Sequence, residues 1–496
     1  MAEKEGTSYG NIFKTTFLFG FVQVFNILVK VGINKIVALL LGANGMGIIG
    51  LFNTAIGTIK TGAGLGVSQS AVRDISEANA CNDSKRFSRI ISLTNRIIIF
   101  TSLLGVILTI ALSPALSQWQ FGNHKYTVAF IWLSIVVGTN ILSEGQLAIL
   151  KGMRQLRALA KASMIGSVVG LLSAVPFYYF FGEGGVVPSL IITAFASLFF
   201  SNMYVRRIKY ETTKLSFREV VKEGSPMVKM GVALMLVSFI GSVFDMIVAS
   251  FISRQGSLAD VGFYNAGATI ISGYFGIIIT AMSTDYYPRI SAVHNDNEKL
   301  TEEMNRQSET GLIMIFPLVV LFVFLSPFFV NMLYSSEFAA TNDYTDYAMI
   351  GTVIIIVSNC MGMILLAKQA SNIFVLSVLG QRLILIAVYL LGYKYLGLKG
   401  LGFAHIGTGV VHILFMTVIL NRFYRIRLAG RVYRLLLLII TATVVTVFAR
   451  TISDVVMKYL IGSALLIFSC VYTLLYMKNK MNLNLINAIK GRIRKK

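Results

Sequence analysis

Long apolar runs separated by short charged segments make up nearly all of this chain, and the first two runs carry polar residues at helical spacing. In the run from roughly 15 to 41, Gln23, Asn26, Lys30 and Asn34 recur every three or four residues. On a helix that spacing places them on one face. The next run, roughly 45 to 72, repeats the device with Asn53, Gly57, Lys60 and Gly64. Read as one continuous helix, it puts Lys60 near mid-span. A lysine at that depth costs about 2.5–3.5 kcal/mol, so it must face protein or a wet cavity. Lys35, near a helix end, can reach the interface instead.

Fourteen such runs read as membrane spans, the thirteenth of them short. They cover about 15–41, 45–72, 89–112, 126–150, 163–181, 186–204, 226–252, 261–287, 309–334, 346–367, 371–392, 400–420, 435–449 and 458–477. The pattern predicts an all-α integral membrane protein with about 14 transmembrane helices, and a polar amino terminus with no cleavable signal peptide. Composition agrees: of 496 residues, 55% are hydrophobic and 13% charged. The net charge of +22 would suggest nucleic acid in a soluble protein, but its placement says otherwise. With the amino terminus inside, the cytoplasmic segments hold 32 of the 44 Lys and Arg and the opposite segments hold 6. The positive-inside rule then places both termini in the cytoplasm. The basic tail, Lys478–Lys496, reads as an orientation signal and a contact for anionic membrane lipids. Cys81, Cys360 and Cys470 are too far apart for a metal motif, and the four histidines form no known pair. No segment outside the membrane is large enough to fold by itself, so function must lie within it.

The chain also repeats itself. A shift of 215 residues lays Gly47 on Gly262, Thr54 on Thr269, Ser68 on Ser283, and Gly182 and Gly185 on Gly397 and Gly400. Leu112-Ser113-Pro114 answers Leu325-Ser326-Pro327 at nearly the same shift. This predicts two pseudo-symmetric six-helix lobes, 1–204 and 225–420, around a central cleft. A cytoplasmic linker, 205–224, joins them, and 421–496 adds two further helices and the tail. Lobes of like orientation are related by an axis along the membrane normal. Under the same shift Lys30 meets Asp245, which lies on a stripe with Ser238 and Ser242. The eighth run presents Asn265, Thr269, Ser272, Gly276, Thr280 and Ser283 on one face. Arg382, in the middle of the eleventh run, needs an anion or water beside it. Lys30, Lys60 and Arg382 are therefore the candidate cations for an anionic substrate. The candidate polar lining is Gln23, Asn26, Asn34, Asn53, Ser242, Asn265, Thr269 and Ser272. Lys30, Asp245, Asp285 and Arg289 are candidates for a gate or for ion coupling. Glu144 and Asp285 lie near cytoplasmic ends, where solvation accounts for them. Phe177 to Phe181 reads as an interfacial aromatic belt.

Several short motifs add a resemblance. They are Leu41 to Gly47, Gly62 to Gly66, Phe121-Gly122-Asn123, Leu150-Lys151-Gly152, Val261-Gly262, and Asp285 to Ile290 with its Pro-Arg step. In this order the chain resembles the Wzx-type polysaccharide flippases of the multidrug/oligosaccharidyl-lipid/polysaccharide (MOP) exporter superfamily. The resemblance implies lobes that open alternately to either side. It implies an undecaprenyl-pyrophosphate-linked oligosaccharide as substrate, as in O antigen or capsule biosynthesis, with polysaccharide polymerase machinery as a partner. No enzyme activity and no cofactor are expected, and Asp245 offers a route for coupling to a proton or sodium gradient. An ion-coupled drug or cation exporter of the same superfamily is the alternative, but it would want an acidic cavity. A membrane glycan polymerase or ligase would want large external loops.

Overall fold

The computed structural model describes residues 24–481, apart from 82, 209, 212 and 214. Gln23, the start of the first run and the tail beyond 481 lie outside the described residues. All regular structure among the described residues is helical, the form in which a segment satisfies its own backbone inside hydrocarbon. Among the described residues ten helices are long and apolar enough to cross a membrane. Two of them, Leu156–Val205 and Ser371–Tyr424, are each interrupted once and hold two of the expected spans apiece.

The described chain divides into two compact units, Met1–Gly262 and Phe263–Lys496. The first contains α1 (24–40), α2 (Gly42–Ala63), α3 (Val67–Ala80), α4 (Ser84–Phe121), α5 (Thr127–Gly152), α6 (Leu156–Phe181), α7 (Val186–Val205) and α8 (Phe217–Gln255), with the start of α9 (Leu258–Ala268). At its centre α5 packs on α2, α3, α4 and α7. Small residues let these helices approach closely: Ser102 on α4 donates to the Gly138 carbonyl on α5 at 2.9 Å. Water-facing helix starts are capped as their sequences suggest. Asp83 accepts from the N–H groups of Lys85 and Arg86, and Ser216 forms a capping box with Glu219. The segment before α8 is tied down, since the N–H groups of Glu211 and Thr213 donate to Ser88 and Ser92 on α4. The expected linker 205–224 is thus shorter in the structure, because α8 has begun by Phe217. That helix, expected to open the second lobe, packs on α2, α3 and α4. The first compact unit therefore runs on to Gly262.

The second unit holds the rest of α9, a π-helix at Thr269–Phe275, α10 (Gly276–Ala292), α11 (Asn297–Phe324), α12 (Ser326–Leu333), α13 (Thr341–Ala367), α14 (Ser371–Tyr424), α15 (Gly430–Arg450) and α16 (Val455–Lys480). Its core is α11 and α13, whose Leu312, Phe316, Val320, Val353, Val357 and Ile364 are wholly buried. The two helices beyond the repeat are held by polar anchors. Arg450 of α15 reaches Asp346 Oδ1 and Ser326 Oγ at 2.5 Å each and the Val323 carbonyl at 3.1 Å. Both members of that ion pair are 13% exposed. Glu309 of α11 pairs with Arg431 and accepts from Tyr476 of α16.

The repeat is written in the backbone as well as in the letters. Gly182 sits at φ 54°, ψ −132° and its mate Gly397 at φ 58°, ψ −138°. Only glycine holds that region without strain. Each opens the same tight return. A Cβ on Gly185 would lie 2.2 Å from the Phe177 carbonyl oxygen, and one on Gly400 would lie 1.8 Å from that of Gly392. Phe177 and Gly392 are themselves 215 residues apart. A third pair of mates touches: a Cβ on Gly47 would be 1.9 Å from the Leu258 oxygen, and one on Gly262 would be 2.1 Å from that of Ala43.

Candidate functional site

The second run is not one helix. Residues 64–66 separate α2 from α3, with Leu65 and Gly66 at positive φ. The cause is a close crossing: a Cβ on Gly66 would lie 2.1 Å from the Gly231 oxygen on α8. Lys60 is therefore in the last turn of α2 and not at mid-span, about 27 Å below its start at 1.5 Å per residue. The predicted stripe is nonetheless the face that α2 leaves open. Asn53 is exposed and Gly57, Lys60, Thr61 and Gly64 are half-buried, while Leu51, Phe52, Ala55, Ile56 and Ile59 are buried. A Cβ on Gly57 would meet nothing within 4 Å. Beside this open face Thr58 donates to the Ser242 carbonyl on α8 at 3.1 Å, and Gly241 also faces open space.

Lys60 does not stand alone there. Its Nζ is 2.5 Å from Glu144 Oε1 on α5, with the two side chains 27% and 50% exposed. Glu144, read from sequence as a solvated end residue, is thus the ion partner of a candidate substrate cation. No spacing rule could join residues 84 apart in the chain.

The other candidates scatter. Asn26 on α1 is taken by α6, donating to Ser163 Oγ at 3.3 Å and accepting from Ser167 Oγ at 3.4 Å. Lys30 on α1 and Asp245 on α8 are both exposed, and Asn34 is half-buried. In the second unit the expected single stripe of the eighth run is split. The π-helix between α9 and α10 changes the turn from 3.6 residues, so Asn265 and Thr269 do not continue the face of Thr280 and Ser283. Ser272 lies within the π segment and is exposed. Asp285 and Arg289 pair with each other at 3.2 Å, and Arg289 also binds Glu303 and, at 2.5 Å, Gln307. Arg382, half-buried on α14, lies within electrostatic reach of His405 and His412 on the returning half of the same hairpin. Tyr389 reaches His405 Nδ1 at 3.3 Å. Sequence reading assigned these histidines no chemistry. The signal it passed over is their seven-residue spacing on one face, opposite an arginine.

Two further cavities flank the first unit. One, of 290 Å³, is lined by Asp74, Glu77, Arg86, Arg89 and Glu223 where α3, α4 and α8 meet. Arg89 holds Glu223 at 2.6 Å and Glu219 at 3.2 Å. The Arg89 guanidinium draws the Glu223 carboxyl below the usual range, and the Ser216 N–H does the same for Glu219. The other, of 690 Å³, lies at the opposite end among α2, α5 and α7, with walls such as Trp132, Val187 and Ile191 and with Lys125 and Glu183 at the rim. Its walls suit an apolar chain.

A family model described as polysaccharide biosynthesis protein matches residues 36–343. The chain is 23% identical over 373 residues to the Lipid III flippase of Escherichia coli (strain K12), covering 71% of this chain and 86% of that protein. The protein of the same name from Shigella flexneri matches equally. In fold it is similar to the Lipid II flippase MurJ in an inward closed conformation, with TM-score 0.67 at 14% identity and 94% and 99% of the two chains covered. It is also similar to an inward-facing multidrug resistance MATE family transporter of the MOP superfamily, with TM-score 0.62 at 18% identity and 81% and 95% covered.

Proposed function

The chain belongs to the polysaccharide biosynthesis protein family, and on that premise we propose that it is a flippase carrying a lipid-linked oligosaccharide across the membrane by alternating access. The observation that carries the reading is Lys60, a half-buried cation on the open polar face of α2, beside the vacant flank of Gly57. A lipid diphosphate must bring negative charge through a medium that cannot hydrate it. A cation on a wet helix face substitutes for that hydration. Asn53 and the hydroxyls of neighbouring helices offer partners to the sugars.

The finer reading is as follows. The substrate is an undecaprenyl-diphosphate-linked oligosaccharide, moved from the cytoplasmic to the outer leaflet of a bacterial inner membrane for a surface polysaccharide. Both termini are cytoplasmic, on the strength of the charge asymmetry. Lys30 and Arg382 contribute charge along the path. Lys30 and Asp245 form a gate, and Asp245 takes up a proton or sodium ion as the coupling step. A polysaccharide polymerase consumes the product. Deleting the gene tests the reading: lipid-linked sugar should accumulate on the cytoplasmic leaflet and surface polysaccharide should be lost. Unchanged polysaccharide with new drug sensitivity would replace the flippase with an exporter.

A further inference from the structure

The pairing of Lys60 with Glu144 goes beyond supplying a cation for the substrate. We infer that Glu144 is the resting occupant of the anion site at Lys60, a built-in carboxylate that the diphosphate of the substrate displaces and that reclaims the lysine when the diphosphate leaves. This deepens the flippase reading and rests on it.

Three observations carry the inference. First, the two groups are in direct contact at 2.5 Å yet remain 27% and 50% exposed. A pair sealed in protein would have to unfold its surroundings to exchange partners, and this one does not. The approach is open as well, because one turn away the flank of Gly57 meets no atom within 4 Å.

Second, the pair is not required by the fold. At the 215-residue shift Lys60 answers to Phe275 and Glu144 to Asn359. In the second unit that position is neutral: Asn359 donates to Ser283 Oγ at 3.3 Å and helps line a small pocket with Tyr286 and Gln307. The mate of α5 therefore folds with an amide at this position, turned to the mate of Ser68 and not to that of Lys60, so a charge there is not a requirement of the helix.

Third, the electrostatics favour exchange in one direction at a time. Lys60 is only 27% exposed, so an internal carboxylate beside it keeps the half-buried empty site neutral. A diphosphate brings more charge and more acceptor oxygens than a carboxylate, so it wins the lysine when present. Glu144 remains nearby and competes for Lys60 throughout, which keeps affinity moderate and lets the headgroup depart after translocation. A site that gripped its cargo without a competitor would bind tightly and turn over slowly.

The test uses purified full-length protein and farnesyl diphosphate as probe, with farnesol as the uncharged control, in titration calorimetry. Glu144→Gln keeps the shape of the side chain and removes its charge. It should bind the diphosphate about two- to five-fold more tightly than wild type, the range expected for losing a partly exposed competing ion pair. Glu144→Asn, which copies the mate in the second unit, should behave alike and guards against a folding artefact of the glutamine. The gain should vanish in the Lys60→Ala background. If wild type holds the diphosphate no better than farnesol, both the substrate reading of this site and the inference fall. If wild type prefers the diphosphate but neither Glu144 variant binds more tightly, the flippase reading stands and the role of Glu144 as competitor is overturned. A gain that persists without Lys60 overturns it too.

Discussion

Replacing Asp346 with alanine would leave Arg450 held by Ser326 Oγ and the Val323 carbonyl but without its counter-charge. Both partners are 13% exposed, so water makes up little of the loss. Removing one partner of a buried pair costs about 3–5 kcal/mol, chiefly because the remaining charge is stranded. For a unit of this size, about 2–4 °C is lost per kcal/mol, so the melting temperature in detergent should fall by roughly 6–20 °C. The damage should centre on α15, which this anchor holds against α12 and α13. The informative companion is Arg450→Met with Asp346→Leu, which removes both charges and fills the space. By the same reasoning the double variant should melt within a few degrees of wild type. Differential scanning fluorimetry on the purified variants decides the matter. If the double variant melts as low as Asp346→Ala, the loss comes from packing and not from a stranded charge, and the argument fails.

Other consequences can be checked in parallel. Lys60→Ala and Arg382→Ala should each reduce surface polysaccharide at unchanged protein level, and Arg382→Lys should restore only part if the guanidinium grips phosphate with two N–H groups; gel profiles of the polysaccharide read this directly. Lys30→Glu and Asp245→Lys should each impair export and the double exchange should recover part of it; a double variant no better than the worse single one rules out direct pairing. Gly397→Ala faces open space but forbidden backbone angles, so it should cost about 1–3 kcal/mol, while Gly57→Ala, equally uncrowded and helical, should melt as wild type. The carboxyls of Glu219 and Glu223 titrate below their ordinary value in the folded chain, so their contribution is present at neutral pH and lost on acidification. The difference in melting temperature between wild type and Arg89→Ala should accordingly be present at pH 7 and shrink as the pH falls below the ordinary glutamate value of about 4.3.

The spans were legible in the sequence because a bilayer imposes one rule on length and polarity, and the repeat because glycines with forced backbone angles keep their place. Gly182 and Gly397 matched by letter before their φ and ψ values matched by geometry. The open stripe of α2 was legible for a similar reason: burial on a helix follows its period. What the sequence hid depends on contacts remote along the chain. The glycines at 62, 64 and 66 permit a break, but the apolar run continues through them and hid it; the close crossing of Gly66 with Gly231 sets it. Glu144 looked like a solvated end residue because its partner lies on another helix. The polar face of the eighth run was misjudged because a constant 3.6-residue turn was carried through a stretch that does not obey it.

That stretch, Thr269–Phe275, holds slack. A π-turn accommodates roughly one residue more than an α-turn of similar rise. Winding that residue into the regular ladder would rotate everything beyond it by about 100° and advance it by about 1.5 Å. The helix α10 would then act as a camshaft. Thr280 and Ser283 would swing to a new heading while α9 stayed in place, as the i→i+5 bonds of the segment exchanged for i→i+4 bonds. A flippase working as proposed above would have, in these seven residues, a way to turn one wall of its path.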